Sequence, residues 1–301
     1  MKLVAQVIAG NSAHDLIGCF AHHRSMGVDA FIVCHWHSDD NTPELLQTLE
    51  REHADITVVQ LPGNLEQILD AERATLDLAR RKYDADWIIR IDSDERWLVQ
   101  RGSLKEAVAK ETQTASITAP RYNIVWPTPE AAAQADISST MALRELPLAV
   151  FPVTIDPAER STLGGIPWVL TRVGPKCCMR ACESLDFNVG GHAVINRVNK
   201  QGIPTSVATD IVIAHIAFTT LARFEIKMRA VSMIVDAAPA NRNPNLGWHW
   251  VRLAEIFKQG PAAVEAEWRR QFMTPEAAEQ LVGREVVVPG DRVFELARTL
   301  A

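Results

Sequence analysis

Asp86-Trp87-Ile88-Ile89-Arg90-Ile91-Asp92-Ser93-Asp94-Glu95 is the stretch on which the fold turns. It reads as an apolar strand that runs straight into three carboxylates. Three runs of the same β-branched kind precede it, at residues 3–9, 29–35 and 56–61. Between them, helical periodicity covers residues 15–26, 43–53 and 65–82. Strands and helices that alternate in this way, with strands apolar along their whole length, predict a parallel sheet covered by helices on both faces. Local signals agree. Thr42-Pro43-Glu44 reads as an N-cap followed by proline at the first helical position. Ser103-Leu104-Lys105-Glu106 has the spacing of a capping box. Gly27 fits the left-handed position that ends a helix.

The carboxylates close the fourth strand. In open α/β sheets, ligands bind beyond the C-terminal strand ends. Residues two apart on an extended chain point the same way, so Asp92 and Asp94 converge on one ligand. Two carboxylates so close repel each other, and a divalent cation offsets that most simply. Mg²⁺ and Mn²⁺ take oxygen ligands, and Mg²⁺ often bridges one or two carboxylates to substrate phosphates. The pattern therefore suggests a metal-bound diphosphate. The plainer reading is an exposed turn whose acids cap the next helix or pair with Arg90, Arg96 or Arg101.

Beyond residue 115 the pattern changes. Residues 116–125 read as one more strand. A proline-rich, irregular stretch follows from 126 to about 175, and a stretch of that length inside a domain is usually functional or mobile. Residues 176–180 and 211–218 resemble strands again, and the chain is mainly helical from 219 onward, with a break at 241–247. Thr274-Pro275-Glu276 starts a late helix. The expected organisation is one domain over residues 1–218, with a nucleotide-binding half (1–115) and an acceptor-side half (116–218), then a helical region over 219–301.

Composition narrows the class. Of 301 residues, 47% are hydrophobic, and 31 Lys and Arg against 37 Asp and Glu give a net charge of −6. That balance argues against a general nucleic-acid binder, which needs clustered cations. No apolar run reaches the roughly 18–20 residues of a membrane-spanning helix. The N-terminus reads as a buried strand rather than a signal peptide, and the expected location is the cytoplasm. Five cysteines, with Cys177, Cys178 and Cys182 clustered off any paired C-x-x-C spacing, read as reduced thiols packed as small apolar residues.

Several short motifs together resemble the family 2 glycosyltransferases, in particular their bacterial D-x-D-E branch. Asn11, His23 and Gly27-Val28 match the opening of that branch, while Ser12, Gly18 and Cys19 replace two acids and a Trp. Ser38, Asp40 and Thr42 match the motif after the second strand, and His35 stands where the family places a base-contacting Asp. Asp92, Asp94 and Glu95 match the acidic motif. His215, Phe224 and Lys227 match the last one, in which Thr219 replaces an Arg. The resemblance implies a GT-A-type fold, a nucleoside-diphosphate sugar donor (a UDP-sugar favoured), a divalent metal (Mn²⁺ or Mg²⁺) and inversion at the anomeric carbon. It implies a carbohydrate or glycoconjugate acceptor, with surface polysaccharide or glycoconjugate synthesis as the setting.

Residue roles follow. Asp92 and Asp94, with His215 and His192, are the candidate metal ligands. Ala9, Asn11, His35, Asp40, Arg90, Asp92, Ser93, Lys176 and Lys227 are candidates for holding the nucleotide-sugar. Inversion needs a base for the acceptor proton, with Glu183, Asp186 and Glu95 as candidates. His35 and His37 with Asp40 form an alternative metal site, and Trp248-His249-Trp250 either stacks on a sugar or packs in the core. The C-terminal helices shape the acceptor site or form a homodimer. Two other functions fit the sequence. One is a sugar nucleotidyltransferase, although Ala9-Gly10-Asn11-Ser12 makes a poor phosphate loop. The other is a glycosyltransferase-like binding or scaffold protein without turnover.

Overall fold

The computed structural model describes residues 1–62, 65–237 and 247–300. Strands β1 (Leu3–Ala9), β2 (Ala30–His35), β3 (Ile56–Gln60) and β4 (Trp87–Asp92) alternate with helices α1 (Ala13–Ser25), α2 (Thr42–Glu52) and α3 (Leu65–Tyr83). All four strands are parallel, with β1 between β2 and β4 and β3 outside β2. Successive side chains of a strand point to opposite faces. Leu3, Ala5, Val7 and Ala9 accordingly pack with Leu16 and Phe20 of α1 and Leu46 of α2, whereas Val4 packs with Leu76 and Ala79 of α3. Each such buried Leu, Val or Phe side chain contributes roughly 1.5–3 kcal/mol. The doubly covered sheet expected from continuous apolar strands is the one that forms.

After β4 the chain leaves this sheet. Strand β5 (Glu95–Val99) follows the Ser93-Asp94 turn, and α4 (Leu104–Ala109) follows β5, opened by the Ser103–Glu106 capping box. The strand expected over 116–125 is two strands, β6 (Ser116–Ala119) and β7 (Arg121–Asn123), divided at Pro120. Proline has no N–H for a ladder and is confined to edges and breaks. Helices α5 (Pro129–Gln134) and α6 (Thr140–Glu145) and strand β8 (Pro147–Ala149) occupy the first part of the proline-rich stretch, so it is less irregular than its sequence suggests.

Strands β9 (Lys176–Arg180), β10 (Leu185–Phe187), β11 (Val194–Asn196), β12 (Ser206–Val207) and β13 (Ile211–His215) precede the helices α7 (Leu221–Ala237), α8 (Trp248–Lys258), α9 (Pro261–Arg269) and α10 (Pro275–Gly283). Strand β14 (Val287–Pro289) and helix α11 (Gly290–Leu300) close the described chain. The large sheet has the order β12-β6-β9-β4-β1-β2-β3, with β9 antiparallel to both neighbours. A second sheet, β5-β13-β7, leans on it, and β14 pairs with β8. This is the mixed α/β architecture, with a mostly parallel central sheet between helices, expected of a GT-A-type domain.

Details differ from the sequence reading. The strand expected to reach 218 stops at His215. Helix α2 begins at Thr42 with Asn41 as its cap residue, and Asp40 Oδ1 rather than a cap side chain accepts from the Thr42 N–H at 3.0 Å. Gly27 has φ +90 and follows α1, as expected. The break read at 241–247 lies, except for Gly247, outside the described residues. Four cysteines are buried, but Cys182 is exposed. Apolar clusters run across the 218/219 boundary, joining Val125 and Trp168 to Phe224, Leu253 and Trp268. No helix among the described residues is long and apolar enough to cross a membrane.

Candidate active site

The Asp92-Ser93-Asp94 turn sits where the chain passes from the large sheet to the small one. Buried Arg96 holds it there. Its guanidinium donates to the carbonyls of Ser93 at 2.8 Å, Glu95 at 2.9 Å, Ile137 at 3.1 Å and Asp15 at 3.2 Å. Ser93 Oγ donates to Ser12 Oγ at 2.9 Å, which ties the turn to the β1–α1 loop.

Three cations face the three acids, and none is Arg90, Arg96 or Arg101. Lys176 Nζ donates to Asp92 Oδ2 at 2.6 Å and lies 3.6 Å from Glu95 Oε1. Arg121 donates to Glu95 Oε1 at 2.6 Å and lies 3.9 Å from Asp92 Oδ2. Lys227 Nζ donates to Asp94 Oδ2 at 2.7 Å. Lys176 comes from the start of β9, Arg121 from β7 and Lys227 from α7, so three distant segments converge on one turn. Lys176 is 1% exposed, whereas the Lys227 side chain is 34% exposed. Burial raises the Asp94 carboxyl, but the Lys227 ammonium outweighs it and holds Asp94 well below the usual carboxylate range. Glu95 is fully buried and its pKa is raised, burial prevailing over Lys176 and Arg121.

His215 adds a directed lone pair. Asn123 Nδ2 donates to the Val169 carbonyl at 3.0 Å, which leaves Asn123 Oδ1 facing His215 Nδ1 at 2.7 Å. The Nδ1 therefore carries the proton, and the Nε2 lone pair points to Asp94 Oδ2 at 3.5 Å. Burial pushes the His215 pKa down to about 4, so the ring is neutral at neutral pH. A neutral lone pair facing a carboxylate oxygen is a donor set for a cation, and metal-bound histidines commonly donate their other N–H to a carbonyl oxygen in this way. Asp92, Asp94 and His215 thus have the chemistry a hard divalent ion takes. They are not gathered into a ready-made cluster. Among the described residues no three His, Cys, Asp or Glu side chains stand close enough to hold a metal, because each aspartate turns an oxygen to its own lysine.

His192 flanks the site, its Nδ1–H donating to the Pro175 carbonyl at 2.6 Å. Burial, with Lys176 beside it, lowers its pKa to about 4. Gly190 (φ +78) and Gly191 (φ +69) make the turn before it. His249, at the start of α8, lies tilted against Trp168 at 5.6 Å, and Trp168 also neighbours Phe218 at 5.3 Å and His215 at 6.1 Å. Burial first, then Lys227 and Arg121, lower the His249 pKa to about 3.

The other expected residues divide between the nucleotide side and elsewhere. Ala9 ends β1, and its carbonyl accepts from the Trp36 N–H at 2.8 Å. Asn11, at φ 51, accepts the backbone N–H groups of Asp39 at 2.7 Å and Asp40 at 3.2 Å, joining the loops after β1 and β2. His35 lies between Gln60 Oε1 at 2.6 Å and Ser38 Oγ at 3.0 Å. His37 instead pairs with Asp39, so the alternative metal site with His35 and Asp40 does not assemble. Arg90 lies on the α3 face, bidentate to Glu72 at 2.8 and 3.0 Å beneath Gly191, and supports the sheet rather than facing a ligand.

Two of the three candidate bases are elsewhere. Glu183 follows β9, whose end lies beside the start of β4, where Ala181 N–H donates to the Asp86 carbonyl. At ~3.3 Å per residue that is roughly 20 Å from Asp92. Asp186 is buried and accepts from Arg73 at 2.7 Å. Glu95 is at the site but committed to Arg121 and to the Asp92 N–H at 3.1 Å. Arg121 and Trp168 escaped the sequence reading. The signal for Arg121 was Pro120, which redirects the strand and aims the next residue at the other sheet.

Residues 5–200 match the profile of glycosyltransferase family 92. The chain belongs to glycosyltransferase family 92. The match is to that family rather than to family 2, which the motifs resembled. The domain also superposes on solved structures at low similarity. S. aureus TarS 1–349 shares 15% identity over 84% of this chain and 69% of its own, with TM-score 0.38. The same fragment in complex with UDP shares 14% over 84% and 70%, with TM-score 0.39. Glucosyl-3-phosphoglycerate synthase from Mycobacterium tuberculosis, in complex with Mn²⁺, UDP and phosphoglyceric acid, shares 13% over 80% of each chain, with TM-score 0.37. No curated protein matches in sequence.

Proposed function

We propose that this family 92 domain transfers a sugar from a nucleoside-diphosphate sugar, with UDP favoured, to a hydroxyl of a carbohydrate or glycoconjugate, inverting the anomeric centre. The observation that carries the reading is the Asp92-Ser93-Asp94 turn beyond β4, ringed by Lys176, Arg121 and Lys227. A departing nucleoside diphosphate gains negative charge, and preorganised cations stabilise it without reorganising at the moment of reaction. Lys176 and Arg121 are fixed for that task by burial and by Glu95, which serves as their anchor rather than as a base. Asn11, His35, Asp40 and Ser93 shape the nucleotide side by holding the loops after β1, β2 and β4 together. A divalent cation, Mn²⁺ or Mg²⁺, suits Asp92, Asp94 and the His215 Nε2, and when bound it supplies Lewis-acid stabilisation of the diphosphate.

The test is thermal stabilisation by nucleotides with and without Mn²⁺. UDP with Mn²⁺ stabilises by RT ln(1 + [L]/Kd), about 2.7 kcal/mol at a hundredfold excess over Kd, and UDP alone stabilises far less. Asp94→Asn folds but loses the metal-dependent part. Preference for a triphosphate would replace this reading with nucleotidyl transfer, and no response to either nucleotide would replace it with a binding or scaffold role.

A further inference from the structure

The two aspartates of the turn are paired with lysines of different character. Lys176 projects from a central strand, is 1% exposed and also lies against Glu95, so it is a fixed part of the floor. Lys227 projects from helix α7, has a third of its side chain in solvent, and touches one acid, Asp94, at 2.7 Å. Its ammonium also lies 5.7 Å from the buried Phe218 ring. The Asp94 oxygen that it occupies, Oδ2, is the one the His215 lone pair faces at 3.5 Å.

We propose that Lys227 is the resident counter-ion of Asp94 and that it yields this oxygen when a divalent cation enters together with a nucleoside diphosphate. This rests on the metal role assigned above to Asp94 and His215. Charge balance at the turn drives the exchange. Asp92, Asp94 and Glu95 are matched by Lys176, Lys227 and Arg121, so with its acids ionised the cluster is neutral. A divalent ion arriving alone must displace Lys227 and leaves two uncompensated positive charges in a partly buried pocket, where charge–charge energies are several-fold larger than in water. The pyrophosphate of a sugar nucleotide brings two negative charges and restores neutrality. The released ammonium remains within reach of the site and acquires the diphosphate as its partner. Cation and nucleotide therefore bind with strong positive coupling, and Lys227 is the positioning residue that generates it.

The experiment is Mn²⁺ titration followed by electron paramagnetic resonance of the free ion, with and without UDP, on the wild-type chain, Lys227→Met and Lys227→Arg. Wild-type protein binds Mn²⁺ weakly alone and at least a hundredfold more tightly with saturating UDP; by reciprocity Mn²⁺ tightens UDP by the same factor. Lys227→Met, which keeps the stem and removes the charge, binds Mn²⁺ alone at least tenfold more tightly and shows a coupling factor reduced at least tenfold. Lys227→Arg retains the wild-type pattern. If Lys227→Met, folded by circular dichroism, binds Mn²⁺ alone no more tightly than wild type, the counter-ion role is wrong while the metal reading stands. If wild-type protein binds no Mn²⁺ even with UDP, the metal reading fails and takes this proposal with it.

Discussion

Gly191→Ala probes the turn that brings His192 to the site. Two costs are legible in the backbone. Gly191 has φ +69, and an L-residue there costs about 1–2 kcal/mol. An added Cβ would also lie 2.8 Å from both Cγ and Cδ of Arg90. That contact cannot relax cheaply, because the guanidinium is buried and bidentate to Glu72 at 2.8 and 3.0 Å. Overpacking of this kind costs about 1–3 kcal/mol. Together the substitution destabilises by about 2–5 kcal/mol, which for a chain of this length lowers Tm by roughly 3–8 °C. Gly202→Ala is the control, since a Cβ there meets nothing within 4 Å and its φ is not positive. Both are measured by urea denaturation and by calorimetry. If Gly191→Ala melts within about 1 °C of Gly202→Ala, the close approach of this turn to Arg90 is not a constraint, and the account of the glycine pair is wrong.

Two further outcomes test the supporting structure. Arg252 and Glu267 form a buried bidentate pair at 2.7 Å and 2.7 Å between α8 and α9; Arg252→Met alone destabilises by about 3 kcal/mol by taking the bidentate partner from the carboxylate, which keeps only Gln271 at 2.8 Å and Arg270 at 3.7 Å, and Arg252→Met with Glu267→Leu recovers most of that in equilibrium unfolding. Acid sensitivity follows from the histidines: His22, His192 and His215 have pKa values pushed down to about 4 chiefly by burial, so between pH 6.5 and 4 the unfolded chain binds more protons and stability falls as pH falls through that window. Tm measured across this range drops from the upper end of the window downward, and His22→Gln, away from the site, makes the slope shallower.

The nucleotide half was legible because its strands are buried on both faces and carry no polar interruption until they reach the ligand edge. β1 matches the reading residue for residue, and β2, β3 and β4 differ by a single end residue. The acidic turn announced itself for the same reason: carboxylates at the end of a buried strand have no packing role to play. What the sequence does not display is pairing at long range. Lys176, Arg121 and Lys227 reach the turn from three segments, and nothing in their local patterns says which acid each will meet. The base candidates failed by direction: Glu183 follows an antiparallel strand, so a short step along the chain carries it to the wrong end of the sheet. Asp186 failed by a partner, Arg73, that lies 113 residues away. His249 was visible as one of an aromatic triplet, but its place beside Trp168 depends on how α8 packs on the 3-10 turn Trp168–Leu170.

The pairing of β14 with β8 has a consequence for the order in which the molecule is assembled. Leu148 and Ala149 are buried, yet they pair with Val288 and Val287, which come much later in the chain. Val293 and Phe294 of α11 fill the same cluster as Leu143 and Leu148. A ribosome adding about 5–20 residues per second delivers β1 to β4 and their helices early, and these close among neighbours. Residues 147–149 must wait for another 138 or more before their partner strand exists. The segment around β8 therefore stays without its strand partner until β14 has been made, far downstream of it.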